Sequence, residues 1–127
     1  MDQRTKSLQR QIRDFGIWTN TNIRAWAIFD ENGLPLFMES EDNYMVDLEV
    51  ALGAVTSRID DIVRSSDDYG IEIRLATLEL KETRDKFHYF RMGDRSLVII
   101  TAYKVSGEEK FLENVNSYIE RLDKSIR

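Results

Sequence analysis

Residues 23–38 constrain this chain more than any other stretch. They read Ile-Arg-Ala-Trp-Ala-Ile-Phe, then Asp30-Glu31-Asn32-Gly33, then Leu-Pro-Leu-Phe-Met. Two apolar runs around a polar turn with an Asn-Gly pair specify a β-hairpin, because glycine takes the positive φ that a tight turn demands. By the two-residue period of a strand, Ile23, Ala25, Ala27 and Phe29 share one face and Arg24, Trp26 and Ile28 the other. Apolar residues on both faces predict a sheet covered on both sides. Pro35 falls inside the second strand, where it lacks the N–H a ladder needs, so that strand is expected at an edge.

The flanking patterns complete the order of elements. Residues 2–15 carry Leu8, Ile12 and Phe15 at helical spacing, with Gly16 as the expected stop. Ser40 to Asn43 offer capping side chains before the longest helix, whose core stripe reads Leu48, Leu52, Val55, Ile59 and Ile62. Val50, Ala51, Gly53 and Ala54 widen its non-polar surface, and small residues there permit close approach by a second helix. Gly53 is explained either by such packing or by simple tolerance at an exposed position. Ser65 to Gly70 break this helix.

Ile71 to Lys81 then predicts a long third strand, with Ile71, Ile73 and Leu75 on one face and Ala76, Leu78 and Leu80 on the other. Either both faces are partly buried or a bulge near Leu75 switches them. Lys86 to Met92 is the fourth strand, and Leu97 to Tyr103, the most continuous apolar run, is expected at the centre of the sheet. Phe111, Val115, Tyr118, Leu122 and Ile126 form one face of a closing helix. The sum is α-ββ-α-βββ-α, an α/β (α+β) chain read as a single domain over residues 1–127.

Composition removes several kinds of function. With 42% hydrophobic and 32% charged residues the chain reads as an ordinary globular domain. Cysteine is absent, which excludes disulfides, thiol nucleophiles and Cys-ligated zinc. A net charge of −5, with basic and acidic residues interleaved, argues against a nucleic-acid partner. No apolar run approaches the ~20 residues of a membrane span, so no direct membrane insertion is expected. The polar start is unlike a secretory signal, and a cytoplasmic location is the expectation.

No motif supplies chemistry. His88 is the sole histidine, there is no Gly-rich phosphate loop, and Asp30 to Glu41 has Pro35 where a calcium loop requires glycine. Asp60-Asp61 and Asp67-Asp68 read as a helix face and a loop, since neighbours on a helix point about 100° apart. Ser65 and Ser66 have no adjacent base. No catalytic residue, cofactor or metal is expected, and the chain is not read as an enzyme.

Taken whole, the pattern resembles the roadblock (dynein light-chain) family. Asp30, Gly33, Leu34 and Pro35 are similar to the Asp-x-x-Gly-Leu-Pro that members carry between strands 1 and 2. The first helix here is more charged than in many members, and the cluster Phe87-His88-Tyr89-Phe90 is unusual. The resemblance implies a five-stranded, mainly antiparallel sheet ordered 2-1-5-4-3, with the second helix on one face and the first and third on the other. It also implies a homodimer that joins the third strands and sets the second helices side by side. Ile71, Ile73, Leu75 and Thr77 would then lie near that joint, with Val50, Gly53, Ala54 and Ser57 on the helix flank. The competing reading is an edge guarded by Glu72, Arg74 and Glu79.

Three functions follow as expectations. Roadblock proteins bind small Ras-like GTPases, and activating members reposition the GTPase's own catalytic groups, so none is needed in the adaptor. By that analogy Glu49, Arg58, Asp61 and Arg64 are the partner-binding residues, against the plainer reading of solvated charge. The alternatives are a structural dimerisation module of a motor or scaffold assembly, and a small-ligand sensor reported by Trp18 and Trp26.

Overall fold

A computed structural model describes residues 3–41, 44, 48–103 and 107–126, without the side chains at 48 and 49. The elements are α1 (Gln3–Thr19), β1 (Ile23–Phe29), β2 (Pro35–Ser40), α2 (Leu48–Ser65), a 3₁₀ turn (Ser66–Tyr69), β3 (Leu75–Glu79), β4 (Lys86–Met92), β5 (Arg95–Thr101) and α3 (Glu108–Ile126). The strands form one sheet ordered β2-β1-β5-β4-β3, every neighbour antiparallel. Pro35 opens an edge strand and the apolar run from Leu97 lies centrally, as the sequence predicts, although β5 ends at Thr101 and leaves Ala102 and Tyr103 outside the strand.

Two cores sandwich the sheet. On one face Trp26, Ile28, Phe90, Met92, Leu97 and Ile99 pack with Leu8, Ile12 and Phe15 of α1 and with Phe111, Val115, Leu122 and Ile126 of α3. On the other face Ala25, Ala27, Phe29, Phe87, Tyr89, Val98 and Ile100 receive Leu52 and Val63 of α2. The hairpin turn is organised by Asp30, whose Oδ1 accepts the N–H groups of Asn32 and Leu34, both at 2.9 Å. Gly33 takes φ +81°, the left-handed conformation that explains an Asp-x-x-Gly sequence.

The structure corrects four local expectations. Gly16 does not stop α1: the helix runs on to Thr19, and Asn20 takes the left-handed φ of 53° instead. Ile23 packs in the α1–α3 core, opposite Ala25 and Ala27, because a register shift between Ile23 and Ala25 reverses the alternation. β3 is confined to Leu75–Glu79 rather than 71–81. Ile73 packs toward the α2 core and Leu75 toward the α1–α3 core, so the chain switches faces just before the strand begins, without a bulge inside it. The fourth correction concerns α2 and bears on the candidate site below. Of the proposed capping segment Ser40 to Asn43, residues 42 and 43 lie outside the described residues.

Gly16 is instead required where the chain doubles back. A Cβ there would lie 2.7 Å from the Thr21 carbonyl oxygen and 3.2 Å from Ile23. The Gly16 carbonyl also accepts the Thr21 N–H at 2.8 Å. Alanine inside a helix normally gains about 1 kcal/mol over glycine. Gly16→Ala is expected to lose about 1–3 kcal/mol instead, because a backbone atom must move. Urea unfolding of the two proteins gives the sign.

Candidate functional site: the outer face of α2 and the β3 edge

The inward stripe of α2 is Leu52, Thr56, Ile59 and Val63, with Leu52, Thr56 and Val63 fully buried. The expected stripe Leu48, Leu52, Val55, Ile59, Ile62 is therefore only partly right. Val55 is 40% exposed and Ile62 62% exposed, on the flank of the helix. Both stripes have helical spacing, and the true one contains a threonine that hydropathy alone passes over. The side chain at position 48 lies outside the described residues.

A polar network seats α2 at the turn end of the sheet. Asp60 Oδ1 accepts hydrogen bonds from the Tyr89 hydroxyl and from Ser96 Oγ at 3.1 Å, while both carboxylate oxygens accept Arg64 Nε at 3.0 Å. Arg64 then donates onward to the carbonyls of Gly93 at 3.0 Å and Arg95 at 3.3 Å. Burial, reinforced by the bond to Asp60, pushes the Tyr89 phenol up to about 12, so it stays a neutral donor. Beyond the helix, Arg91 pairs with both oxygens of Asp67, at 2.9 and 2.8 Å. That pairing holds the Asp67 carboxyl below its usual range. At the opposite end, the Tyr44 hydroxyl donates to Asp85 at 2.7 Å, and burial with this bond raises its pKa.

With the inner face so anchored, the outer face of α2 presents Val50 (73% exposed), Ala54, Ser57, Arg58, Asp61 and Ile62 to solvent. Gly53 is half-buried over Phe29, where a Cβ would make ordinary contact at 3.9 Å, so packing permits glycine there without requiring it. Arg64 is turned inward to Asp60 and the β4–β5 turn, apart from the exposed Arg58 and Asp61. The side chain of Glu49 lies outside the described residues.

β3 pairs only with β4, which leaves its outer edge unoccupied by any described strand. Along this segment Ile71 (57% exposed), Thr77 and Leu78 (43% exposed) face solvent, while Ile73 and Leu75 are half-buried toward opposite cores. Glu72 and Arg74 pair with each other at 3.0 Å, and Glu79 approaches Lys86 at 3.4 Å. These charges flank the edge and leave the exposed Ile71 and Leu78 among them. Sequence reasoning did not single out Val55, Ile62 or Leu78 as surface residues. Taking Thr56 as an inward residue would have rotated the α2 stripe and found the first two.

His88 is packed inside the sheet's α1–α3 face. It is fully buried, with Nδ1 3.1 Å from Thr77 Oγ1 and Nε2 3.0 Å from Thr101 Oγ1. Burial first, then Lys86, lowers its pKa to about 4. Among the described residues no His, Asp or Glu cluster has the form of a metal site. No helix among them is long and apolar enough to cross a membrane.

No protein-family model matches this sequence, and no curated protein matches it either. Solved structures do match. An MglB described as having a tetrameric arrangement superposes with a TM-score of 0.74 at 12% identity, covering 98% of this chain and 91% of its own. The gliding protein MglB from Thermus thermophilus gives 0.68 at 10% identity, covering 98% and 92%. A Roadblock/LC7 domain from Streptomyces avermitilis gives 0.54 at 15% identity, covering 77% and 86%.

Proposed function

We propose that this chain, whose fold is roadblock-like, is a non-catalytic homodimeric adaptor that binds a small Ras-like GTPase and regulates or positions it. One observation carries the reading: exposed apolar and small residues (Val50, Ala54 and Ile62) on the outer face of α2 beside a β3 edge that no described strand pairs, in a fold similar to that of an MglB with a tetrameric arrangement. Val50, Gly53, Ala54 and Ser57 would meet their two-fold mates, and Ile71, Ile73, Leu75 and Thr77 would lie near the strand joint. Such a contact is isologous and self-complementary, the commonest dimer geometry. It would also cover the exposed apolar edge, which is otherwise a route to aggregation. Glu49, Arg58 and Asp61 are the residues assigned to the GTPase, with Arg64 serving them by fixing the helix. The protein would work in the cytoplasm, as one domain, with no cofactor.

Light scattering across a concentration series tests the dimer. The expected mass is about twice the 14.9 kDa chain. Val50→Glu with Ala54→Glu should return the monomer by setting like charges across the two-fold contact. A wild-type monomer at every concentration would remove the homodimer. For the partner, GTPases from the same cell are screened in their GTP and GDP forms. Retention of one form, lost on Arg58→Glu with Asp61→Arg, is the expected result. Retention of a non-GTPase protein regardless of nucleotide would instead make this a structural dimerisation module.

A further inference from the structure

The outer line of α1 differs in charge from the rest of the molecule. Between Gln3 and Thr19 stand four basic residues and one carboxylate, Asp14, in a chain whose net charge is −5. Lys6, Arg10, Arg13 and Ile17 follow at spacings of four, three and four. They form one exposed ridge, about 16 Å long. Arg13 is committed to Glu39, which also accepts the Trp26 indole N–H at 3.1 Å. Lys6 and Arg10 have no carboxylate within 4.0 Å among the described residues.

The ridge ends in apolar surface beside a groove. Ile17 is 72% exposed, and Trp18, whose ring centroid lies 5.8 Å from that of Tyr118, is 51% exposed. A groove of about 540 Å³ runs along this end of α1 past Arg13, Ile17, Asn20 and Ile23. It meets a recess of about 250 Å³ at Arg13 and Ile23.

An occupant must therefore be anionic where it meets Lys6 and Arg10, and apolar where it meets Ile17 and Ile23. It must also be slim. α3 shares this layer with α1 and exposes Glu109, Glu113 and Glu120. A broad anion laid on the layer, such as a bilayer or a nucleic-acid duplex, would be set against those carboxylates. A single segment of protein chain lying along α1 avoids them, and a groove with aliphatic walls suits a side chain better than a plane of lipid.

We infer that the outer face of α1 receives an acidic amphipathic segment of a partner protein, its carboxylates pairing with Lys6 and Arg10 and an apolar side chain seated between Ile17 and Ile23. This surface lies across the sheet from α2, so it depends neither on the pairing of β3 nor on a GTPase.

The test titrates ¹⁵N-labelled full-length chain with the blocked peptide acetyl-Glu-Glu-Leu-Glu-Glu-Leu-Leu-Glu-amide. One counterpart carries lysine for glutamate, and another carries serine for leucine. Exposed ion pairs are individually weak, so saturable shifts in the millimolar range are expected from the first peptide, at the amides of Arg10, Arg13, Ile17 and Thr21. The lysine peptide should give none and the serine peptide much weaker ones. Lys6→Glu with Arg10→Glu should weaken binding about tenfold, and Ile17→Ser about fivefold. Both variants change exposed side chains and should stay folded. Val50→Glu with Ala54→Glu, on α2, should leave the binding unchanged. No saturable shift, equal shifts with the lysine peptide, or unchanged binding by the α1 variants would each overturn the assignment. Sedimentation with phosphatidylserine vesicles that Lys6→Glu with Arg10→Glu abolishes would overturn it in favour of lipid. A mass above the dimer lost in the same variant would overturn it in favour of a further copy of the chain. A monomer, or absence of any GTPase partner, would leave these shifts in place. A retained GTPase without them would overturn the α1 face alone.

Discussion

Asp60→Ala is expected to destabilise the fold by about 3 kcal/mol, well beyond the range of an ordinary helix-surface substitution. The carboxylate is mostly shielded, and three separate donors end on it: the Tyr89 hydroxyl, Ser96 Oγ and Arg64 Nε. Removing it leaves a phenol in the core with only Ser96 at 3.5 Å, and a guanidinium whose charge is no longer matched. Tyr89→Phe is expected to cost about 1 kcal/mol, because Asp60 keeps its other two donors. The double variant should lose less than the sum of the two, since both remove the same bond. Urea denaturation of the four proteins measures this. A loss under about 0.5 kcal/mol for Asp60→Ala would mean that α2 is held by its apolar stripe alone.

The second large effect is a loss of stability in mild acid through His88. Burial is the cause, since both ring nitrogens face threonine hydroxyls, which can donate to the bare nitrogen of the neutral ring or accept from the N–H groups of the protonated one. The folded value of about 4 lies below the unfolded value of about 6.5. The unfolded chain therefore binds a proton first as pH falls. Stability from this group is fully present above about pH 6.5 and drains away between there and about pH 4, by roughly 3 kcal/mol in total. Carboxylates titrate in the lower part of that window, so the comparison is with His88→Gln, which fills similar space without titrating. Between pH 7 and pH 4.5 the wild type should lose about 2 kcal/mol more than the variant. Equal losses would place the acid sensitivity elsewhere.

The edge place of β2 and the central place of β5 were legible because two residue properties acted without competition, while the full order was implied by the resemblance to the roadblock family. Pro35 cannot donate to an inner ladder, and the run from Leu97 has no polar face to give to water. What was not legible had a specific physical origin in each case. Thr56 is buried in α2, so the helix is rotated from the position that Val55 and Ile62 suggest. The register shift beside Ile23 reverses a face that a strict two-residue period cannot reverse. Gly16 has a punctuating composition but a steric role, visible only once Thr21 folds back onto it. Asp60 reads in sequence as part of a helix face beside Asp61. Its partners Tyr89 and Ser96 are 29 and 36 residues away, beyond any local signal.

The hydrogen bond between Thr77 and His88 has a consequence for phase. A short edge strand such as β3 can slide along its neighbour in two-residue steps while keeping the same side chains on the same faces. Here a slip would bring Leu75 or Glu79 opposite His88 in place of Thr77, leaving a buried imidazole nitrogen beside an alkyl group or drawing a carboxylate inward. Either displacement is unfavourable, so the imidazole acts as an indexing pin for β3. Any strand that adds to the outer edge meets a row of backbone groups already set in step with the rest of the sheet. The alignment of such an assembly would thus be dictated from one strand further in.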